Sequence, residues 1–392
     1  MKRKIFVVTG SRAEYGLLRP FLEKIKNDGD LKLQLAVTGA HLKKEFGFTY
    51  KEIEKDSFCI DRKVDINLIS DTAVGISGSM AMAISGFAAA YEEMKPDVVV
   101  VLGDRFEIFG AVAAAHVACI PVAHIHGGEL TEGVIDDAFR HSITKMSQLH
   151  FTATEEYRRR VIQLGESPEC VFNVGAPGLD GLKDMPFLTR DQLKKKLRIN
   201  FDRRNLLITF HPATLEDGSA GWQFKNLLSA LDGLNSTHLI FTKANADSGG
   251  KIVNRMIDEY VSMRPDRAEA FTSMGRLNYL SAMRIVDAVV GNSSSGIMEA
   301  PSFRVGTINI GSRQRGRIKS RSVIDCRPLR SDIVRALKEL YSAKFQNSLR
   351  NVKNSYEGRN ASLKIWTILK KHKFEKWTKK SFYDIPLRIS GK

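Results

Sequence analysis

Cysteine is scarce and unpatterned: Cys59, Cys119, Cys170 and Cys326 are the only four in 392 residues, and none stands at metal-ligand or disulfide-framework spacing. Such scatter implies reduced thiols, and no chemistry is assigned to them. No uninterrupted apolar run approaches the ~20 residues that cross a bilayer. The opening MKRKIFVVTG passes from basic residues into a short β-branched run, unlike a secretory leader, so a cytoplasmic protein without membrane insertion is expected. There is no G-x-G-x-x-G fingerprint and no Walker A motif, so dinucleotide and ATP chemistry lose ground. Acid is also short, 44 Asp and Glu against 60 Lys and Arg, for a net charge of +16. The excess is concentrated late, with nine Lys/Arg against two acids from Lys364 to Lys392. No nucleic-acid motif accompanies it, and a solvated basic face is the expectation there.

Hydrophobic residues make up 43%, enough for ordinary globular cores, and 392 residues exceed the size at which one core keeps growing. Two domains are therefore expected. Short β-branched runs alternate with longer helical patterns: Lys4 to Thr9, Leu31 to Thr38, Val98 to Leu102, Pro121 to Ile125 and His150 to Ala153 read as strands. Leu206 to Phe210, His238 to Thr242, Ala268 to Phe271, Ile285 to Val290 and Gly306 to Ile310 repeat the scheme. Such alternation predicts an α/β protein of two Rossmann-like, doubly wound parallel-sheet domains. The seam falls near Gly175 to Asp184, where Gly and Pro cluster, which divides the chain into 1–180, 181–365 and a basic extension, 366–392. That extension is expected to pack back toward the first domain. Open α/β sheets bind ligands outside the carboxyl ends of their strands, so the cleft between the domains is the expected site.

The densest signal is Asp287 to Ala300, an apolar run followed by a small-residue turn and helix-forming residues. Backbone N–H groups at Gly291, Asn292, Ser293, Ser294 and Ser295, with three hydroxyls, suit an anion at a helix N-terminus; the competing reading is that the serines only cap the helix. Other polar groups gather at strand ends. Gly10 and Arg12 follow the first strand and His41 the second; Asp104 and Arg105 follow the third, where an ion pair between them is the plainer alternative. His124-Ile125-His126-Gly127-Gly128-Glu129, then Asp136, Asp137 and His141, is the richest collection of titratable groups. A His-x-His pair raises a metal site, but no further ligand stands at diagnostic spacing, and no metal is expected. Of the two adjacent aspartates, one can cap the helix while the other faces the cleft. In the second half, His211 precedes a strand-stopping proline, Asn245 and Asp247 end a strand with groups that suit a ribose or base, and Arg313, Arg315 and Arg317 suit a polyanion.

These motifs, in order, resemble the sugar-nucleotide 2-epimerases, and most nearly the hydrolysing UDP-N-acetylglucosamine 2-epimerases of bacterial sialic acid synthesis. The matching stretches are GSRAEYG (Gly10 to Gly16), VTGAHL (Val37 to Leu42), GDRFE (Gly103 to Glu107), HIHGGELTEGVIDDAFRHSITK (His124 to Lys145), HPATLE (His211 to Glu216), GNSSSGIMEA (Gly291 to Ala300) and NIGSRQRGR (Asn309 to Arg317). The resemblance implies a GT-B-like pair of domains, the first on the sugar and catalytic side and the second holding UDP. It implies loss of UDP by anti elimination through 2-acetamidoglucal, then hydration to N-acetylmannosamine, with no cofactor. It also implies catalytic roles among Asp104, Glu129, Asp136, Asp137, His211 and His126. Substrate contacts are implied for Arg12, Gly10, His41, Arg105, Asn245, Asp247, Gly291 to Ser295, Glu299, Arg313 and Arg317. Some relatives carry a glutamate where this chain has His126, so either His126 or Glu129 stands in for it. A homo-oligomer, dimer or tetramer, is expected. The rival readings are a hydrolysing enzyme for the 2,4-diacetamido-2,4,6-trideoxy sugar, a non-hydrolysing epimerase, a glycosyltransferase and a silent sugar-nucleotide binder.

Overall fold

The computed structural model describes residues 2–68, 70–216, 218–244, 249–358, 360–374 and 379–386. Seven strands form the first sheet: β1 (Arg3–Thr9), β2 (Leu31–Thr38), β3 (Arg62–Val64), β4 (Val98–Leu102), β5 (Val122–Ile125), β6 (Leu149–Thr152) and β7 (Val171–Asn173). Six form the second: β8 (Arg204–Thr209), β9 (Thr237–Thr242), β10 (Ala268–Phe271), β11 (Ala288–Gly291), β12 (Gly306–Ile310) and β13 (Val323–Cys326). Every pairing is parallel, in the orders β3-β2-β1-β4-β5-β6-β7 and β10-β9-β8-β11-β12-β13. This is the expected GT-B-like pair of Rossmann-like sheets. Both faces of each sheet are covered by helices, which is why the strands read as near-continuous apolar runs. On β1, Ile5 and Val7 enter the core on one face while Phe6 and Val8 enter the core on the other.

Three short strands, β3, β7 and β13, were not expected, since RKV, VFN and VIDC are too brief to show a period. The run from Ile285 is divided differently: Ile285 ends the helix Arg276–Ile285, and only Ala288–Gly291 is strand. One helix also departs from expectation. Ala73–Met94 has 22 residues and a mean hydropathy of 1.5, long and apolar enough by those measures to cross a membrane. Its Gly and Ser residues hide that length in the sequence. Ala83, Phe87, Ala90 and Tyr91 pack on the first sheet, while Val74, Met82 and Ile84 face outward.

The end of the chain returns to the first sheet. Helix Ala361–Lys371 crosses the boundary placed at 365, and Ala361, Ile365 and Leu369, four apart on one helical face, join the core around β1. Asp180 accepts from the backbone N–H groups of Ala361 (2.9 Å) and Ser362 (2.5 Å), satisfying the helix start with a carboxylate.

Candidate active site

A doubly wound sheet opens a crevice where its strand order reverses. Here the reversals lie between β1 and β4 and between β8 and β11. The four loops leaving those strands carry Ser11 and Arg12, Asp104 and Arg105, His211, and Ser293 to Ser295. Residues from both halves line one cavity of about 490 Å³, among them Arg12, Thr209, His211, Tyr279, Ser293 and Arg313. A second, of about 160 Å³, is lined by Asp104, His126, Asp136, Arg140 and Met298 among others. The two share Ser11, Ala13, Leu17, Ser294 and Arg313, so they are neighbouring chambers of one cleft.

The serine turn faces the large chamber. The helix behind it, Ser295–Met298, has four residues and no side-chain cap bond from Ser294, while Ser293 Oγ accepts from Ser295 N at 3.4 Å, so capping is slight and little macrodipole stands behind the turn. What the turn offers an anion is therefore local, hydroxyls and backbone N–H groups. Ser295 Oγ is held by Tyr279 Oη at 2.6 Å and by Ser293 Oγ at 3.1 Å. Arg12 lines the same chamber without a hydrogen-bond partner among the described residues, and burial pulls its pKa down. Glu299 closes one side; burial raises its carboxyl, and its Oε2 has no hydrogen-bond partner among the described residues. Gly291 and Asn292 stand behind the turn instead of lining it. A Cβ on Gly291, at φ 133°, would lie 2.0 Å from the Thr209 carbonyl, so only glycine fits there. Asn292 ties the turn to the neighbouring loop, accepting from His211 N at 2.7 Å and donating to His211 O at 2.8 Å.

The small chamber is organised by a residue that the motifs did not single out. Arg140, fully buried, donates to Asp104, to Asp137 Oδ1 (2.9 Å), to Thr131 Oγ1 (3.0 Å) and to the Glu129 carbonyl (3.0 Å). Asp104 is thus the partner of Arg140, which replaces the plainer alternative of a pair with Arg105 among the described residues. Arg105 Nε lies 2.7 Å from Glu107 instead. Asp137 is drawn into this network, accepting also from Thr131 N at 2.6 Å, while its neighbour Asp136 lines the chamber. Burial would raise Asp137, but His141 and Thr131 outweigh it and lower the pKa. Spacing was the available signal for Arg140: residues i and i+3 on a helix share a face, and Asp137 precedes it by three.

His126 and Glu129 form a second unit. His126 Nδ1 lies 2.5 Å from Glu129 Oε1, and Glu129 Oε2 lies 2.8 Å from Arg317. Burial pushes Glu129 up, yet Arg317 and His126 together bring its pKa below the ordinary value. Arg317 is accordingly an ion-pair partner in the small chamber and does not line the large one.

Other expected contacts are overturned. His41 is fully buried, its Nε2 3.1 Å from Thr9 Oγ1 and its Nδ1 2.8 Å from Thr49 Oγ1, and burial lowers it to about 3; it is a structural histidine. Gly10 donates its N–H to Glu14 Oε2 at 2.7 Å, so that group is not available to a phosphate. Asn245 and Asp247 lie outside the described residues. The His-x-His pair is no metal site, because His124 uses both nitrogens, on Thr144 Oγ1 (3.1 Å) and the Gly103 carbonyl (2.8 Å). Among the described residues, no group of three or more His, Cys, Asp or Glu is arranged to hold an ion.

Residues 23–370 match the model of the UDP-N-acetylglucosamine 2-epimerase family. The chain belongs to that family. It is 45% identical over 88% of its length to a GDP/UDP-N,N'-diacetylbacillosamine 2-epimerase (hydrolyzing) of Campylobacter jejuni, covering 90% of that protein. It is 40% identical to the polysialic acid biosynthesis protein P7 of Escherichia coli, over 98% of both chains. Its fold matches the UDP-GlcNAc 2-epimerase of Neisseria meningitidis, solved with UDP-GlcNAc, at a TM-score of 0.79 and 20% identity, over 94% of this chain and 100% of that one.

Proposed function

We propose that the protein is a hydrolysing 2-epimerase of a UDP-linked 2-acetamido sugar, releasing UDP and a free sugar inverted at C2. The observation that carries this reading is the division of the cleft: a large chamber lined by Arg12, the serine turn and Arg313 meets a small one lined by Asp104, His126 and Asp136. A diphosphate needs the first set of groups, and exchange of a carbon-bound proton needs the second. In the elimination, the C2–H bond breaks and its proton goes to a base. The C1–O bond breaks, its electron pair leaves on UDP, and C1=C2 forms. Water then supplies hydroxyl to C1 and a proton to C2 from the opposite face, which inverts that centre.

Two sugars fit this chemistry. The 45% identity to the diacetylbacillosamine enzyme favours a second acetamido group at C4 and a deoxy C6, and Leu17, Leu102, Val134 and Met298 give the small chamber apolar lining suited to those methyl groups. The near full-length match to the polysialic acid protein favours UDP-N-acetylglucosamine. Both UDP-sugars are to be offered in deuterated water without an acceptor and the products followed by NMR. The expected result is UDP and a free 2-epimer carrying deuterium at C2. Nucleotide retained on the product, or UDP release only with an acceptor, would turn the reading toward a non-hydrolysing epimerase or a glycosyltransferase. Self-association is part of the proposal, supported by Val74, Met82 and Ile84 exposed on one long helix; sedimentation as a monomer would remove it.

A further inference from the structure

Three features of His126 converge. It follows β5 directly in the left-handed region, at φ 70°, where a histidine is strained and persists only because its surroundings hold it. Its backbone N–H donates to the Phe151 carbonyl at 2.9 Å, and its side chain is buried. Lastly, its Nε2 is a buried ring nitrogen without a hydrogen-bond partner among the described residues, although the residue lines the small chamber. A protein pays to leave such an atom unsatisfied, since an unpartnered buried polar atom costs on the order of a lost hydrogen bond.

The neighbouring carboxylate decides what that nitrogen can do. Glu129 is an acceptor on both oxygens, one toward Arg317 and one toward His126 Nδ1. A carboxylate held ionised takes the Nδ1–H, which leaves the lone pair on Nε2. Both Glu129 oxygens are already engaged, whereas Nε2 of His126 has no partner among the described residues. Resting on the reading under Proposed function, we infer that His126 Nε2 is the base that removes the C2 proton, and that Glu129, anchored by Arg317, is its positioning residue. The proton from C2 forms a bond to Nε2, the imidazolium is stabilised across Nδ1 by Glu129, and the electron pair of the broken C–H bond becomes C1=C2 as UDP departs. The imidazolium then returns its proton to solvent. The proton arriving on the other face of C2 comes from a different group, because return from His126 would restore the starting configuration. Asp104 and Asp136 are further carboxyl groups that line the same chamber.

The charged and titratable groups that face His126 are Glu129 on its own loop, His124 two residues back, and Glu299 from the second half, with Arg317 behind Glu129. The test compares the full-length protein with His126→Asn, which tolerates the left-handed backbone, and with Glu129→Gln and Glu129→Asp. UDP release, deuterium entry at C2, kcat with KM, and calorimetric UDP affinity are measured together. His126→Asn is expected to keep UDP affinity within about threefold, showing a folded site, while release and exchange fall by at least ~10², the lower range for loss of an acid or base. Glu129→Gln is expected to lower kcat with KM little changed, with partial recovery in Glu129→Asp. A His126→Asn enzyme that releases UDP within about tenfold of wild type, or a Glu129→Gln enzyme whose kcat is unchanged, overturns the inference and leaves the reaction standing. Wild-type protein that binds UDP yet releases none from either sugar overturns the reaction, and the inference with it.

Discussion

Arg140 donates from one helix to the carboxylate of Asp104, 36 residues earlier in the chain, and so fastens the loop after β4 to the loop after β5. The contact places a guanidinium, which does not lose its proton in proteins, behind the group that meets the small chamber. It also changes the question asked of Asp104, whose partner comes from outside its own motif.

Asp104→Asn preserves shape and removes charge. If Asp104 serves the chemistry, kcat falls by at least ~10² while UDP affinity stays within a few-fold, because the groups proposed to hold the diphosphate line the other chamber. If it serves only to neutralise Arg140, the melting temperature falls and turnover at low temperature is spared. Measuring kcat, UDP affinity and Tm on this one variant separates the two, and an unchanged kcat would sink the catalytic role.

Arg140→Met strands Asp104 and Asp137 without their cation. Removing one partner from a buried charge network costs about 3–5 kcal/mol, against near zero for an exposed pair. A fall of that size in denaturant unfolding is expected, and a loss under about 1 kcal/mol would show that Thr131 and water satisfy the aspartates unaided.

The sheet orders explain which of these features the sequence made visible. Long apolar strands announce themselves through composition, and the polar groups that follow β1, β4, β8 and β11 fall beside the reversals for that reason. Arg140 does not follow a strand; it reaches the site through a helix packed on the sheet, so only its three-residue spacing from Asp137 pointed to it. His41 shows the opposite failure. It follows a strand and looks like a ligand, but two threonines outside its motif, Thr9 and Thr49, take both ring nitrogens. Glycine was ambiguous in the same way: Gly10 and Gly291 sit in binding turns, yet a Cβ would meet Glu107 Oε1 at 2.6 Å in the first and the Thr209 carbonyl in the second. Composition cannot separate a glycine that admits a ligand from one that admits a neighbouring chain segment.

The serine turn predicts a binding defect. Ser293→Ala with Ser294→Ala, or Arg313→Ala alone, removes hydrogen bonds to a diphosphate worth about 1.5–3 kcal/mol each when charge-assisted. UDP dissociation constants should rise roughly ten- to a hundredfold by calorimetry. Unaltered affinity would mean that the turn does not hold the nucleotide.

Chelation is expected to leave turnover intact. His124 has no free nitrogen and His126 has Nδ1 committed to Glu129, so the pair lacks two ligating atoms on one side. Activity lost to a chelator and restored by Zn²⁺ or Mn²⁺ would show that this geometry rearranges around an ion.

The basic C-terminal extension has a structural consequence that pH can expose. Lys380 Nζ donates to the carbonyls of Lys145 and Ser147, each at 2.7 Å, at the carboxyl end of helix Asp136–Met146, which carries Asp136, Asp137 and Arg140. A cation there complements the helix dipole and satisfies carbonyls that the helix leaves unpaired. Lys380 also pairs with Glu166 at 2.5 Å, beside His150 (2.8 Å) and Lys145 (2.7 Å). Burial pushes the Glu166 carboxyl up, but His150, Lys145 and Lys380 outweigh it and bring it down to about 2. A depressed carboxyl contributes stability that is complete above the ordinary glutamate value of about 4.3 and is lost as pH falls through its folded value. Lys380→Met removes one of the three groups, so the folded value rises and the stabilisation is lost sooner. The variant should unfold at a higher pH on acid titration than wild type and show a lower Tm near neutrality, where Glu166 is ionised in both. An acid midpoint identical to wild type would mean that His150 and Lys145 hold Glu166 without the extension.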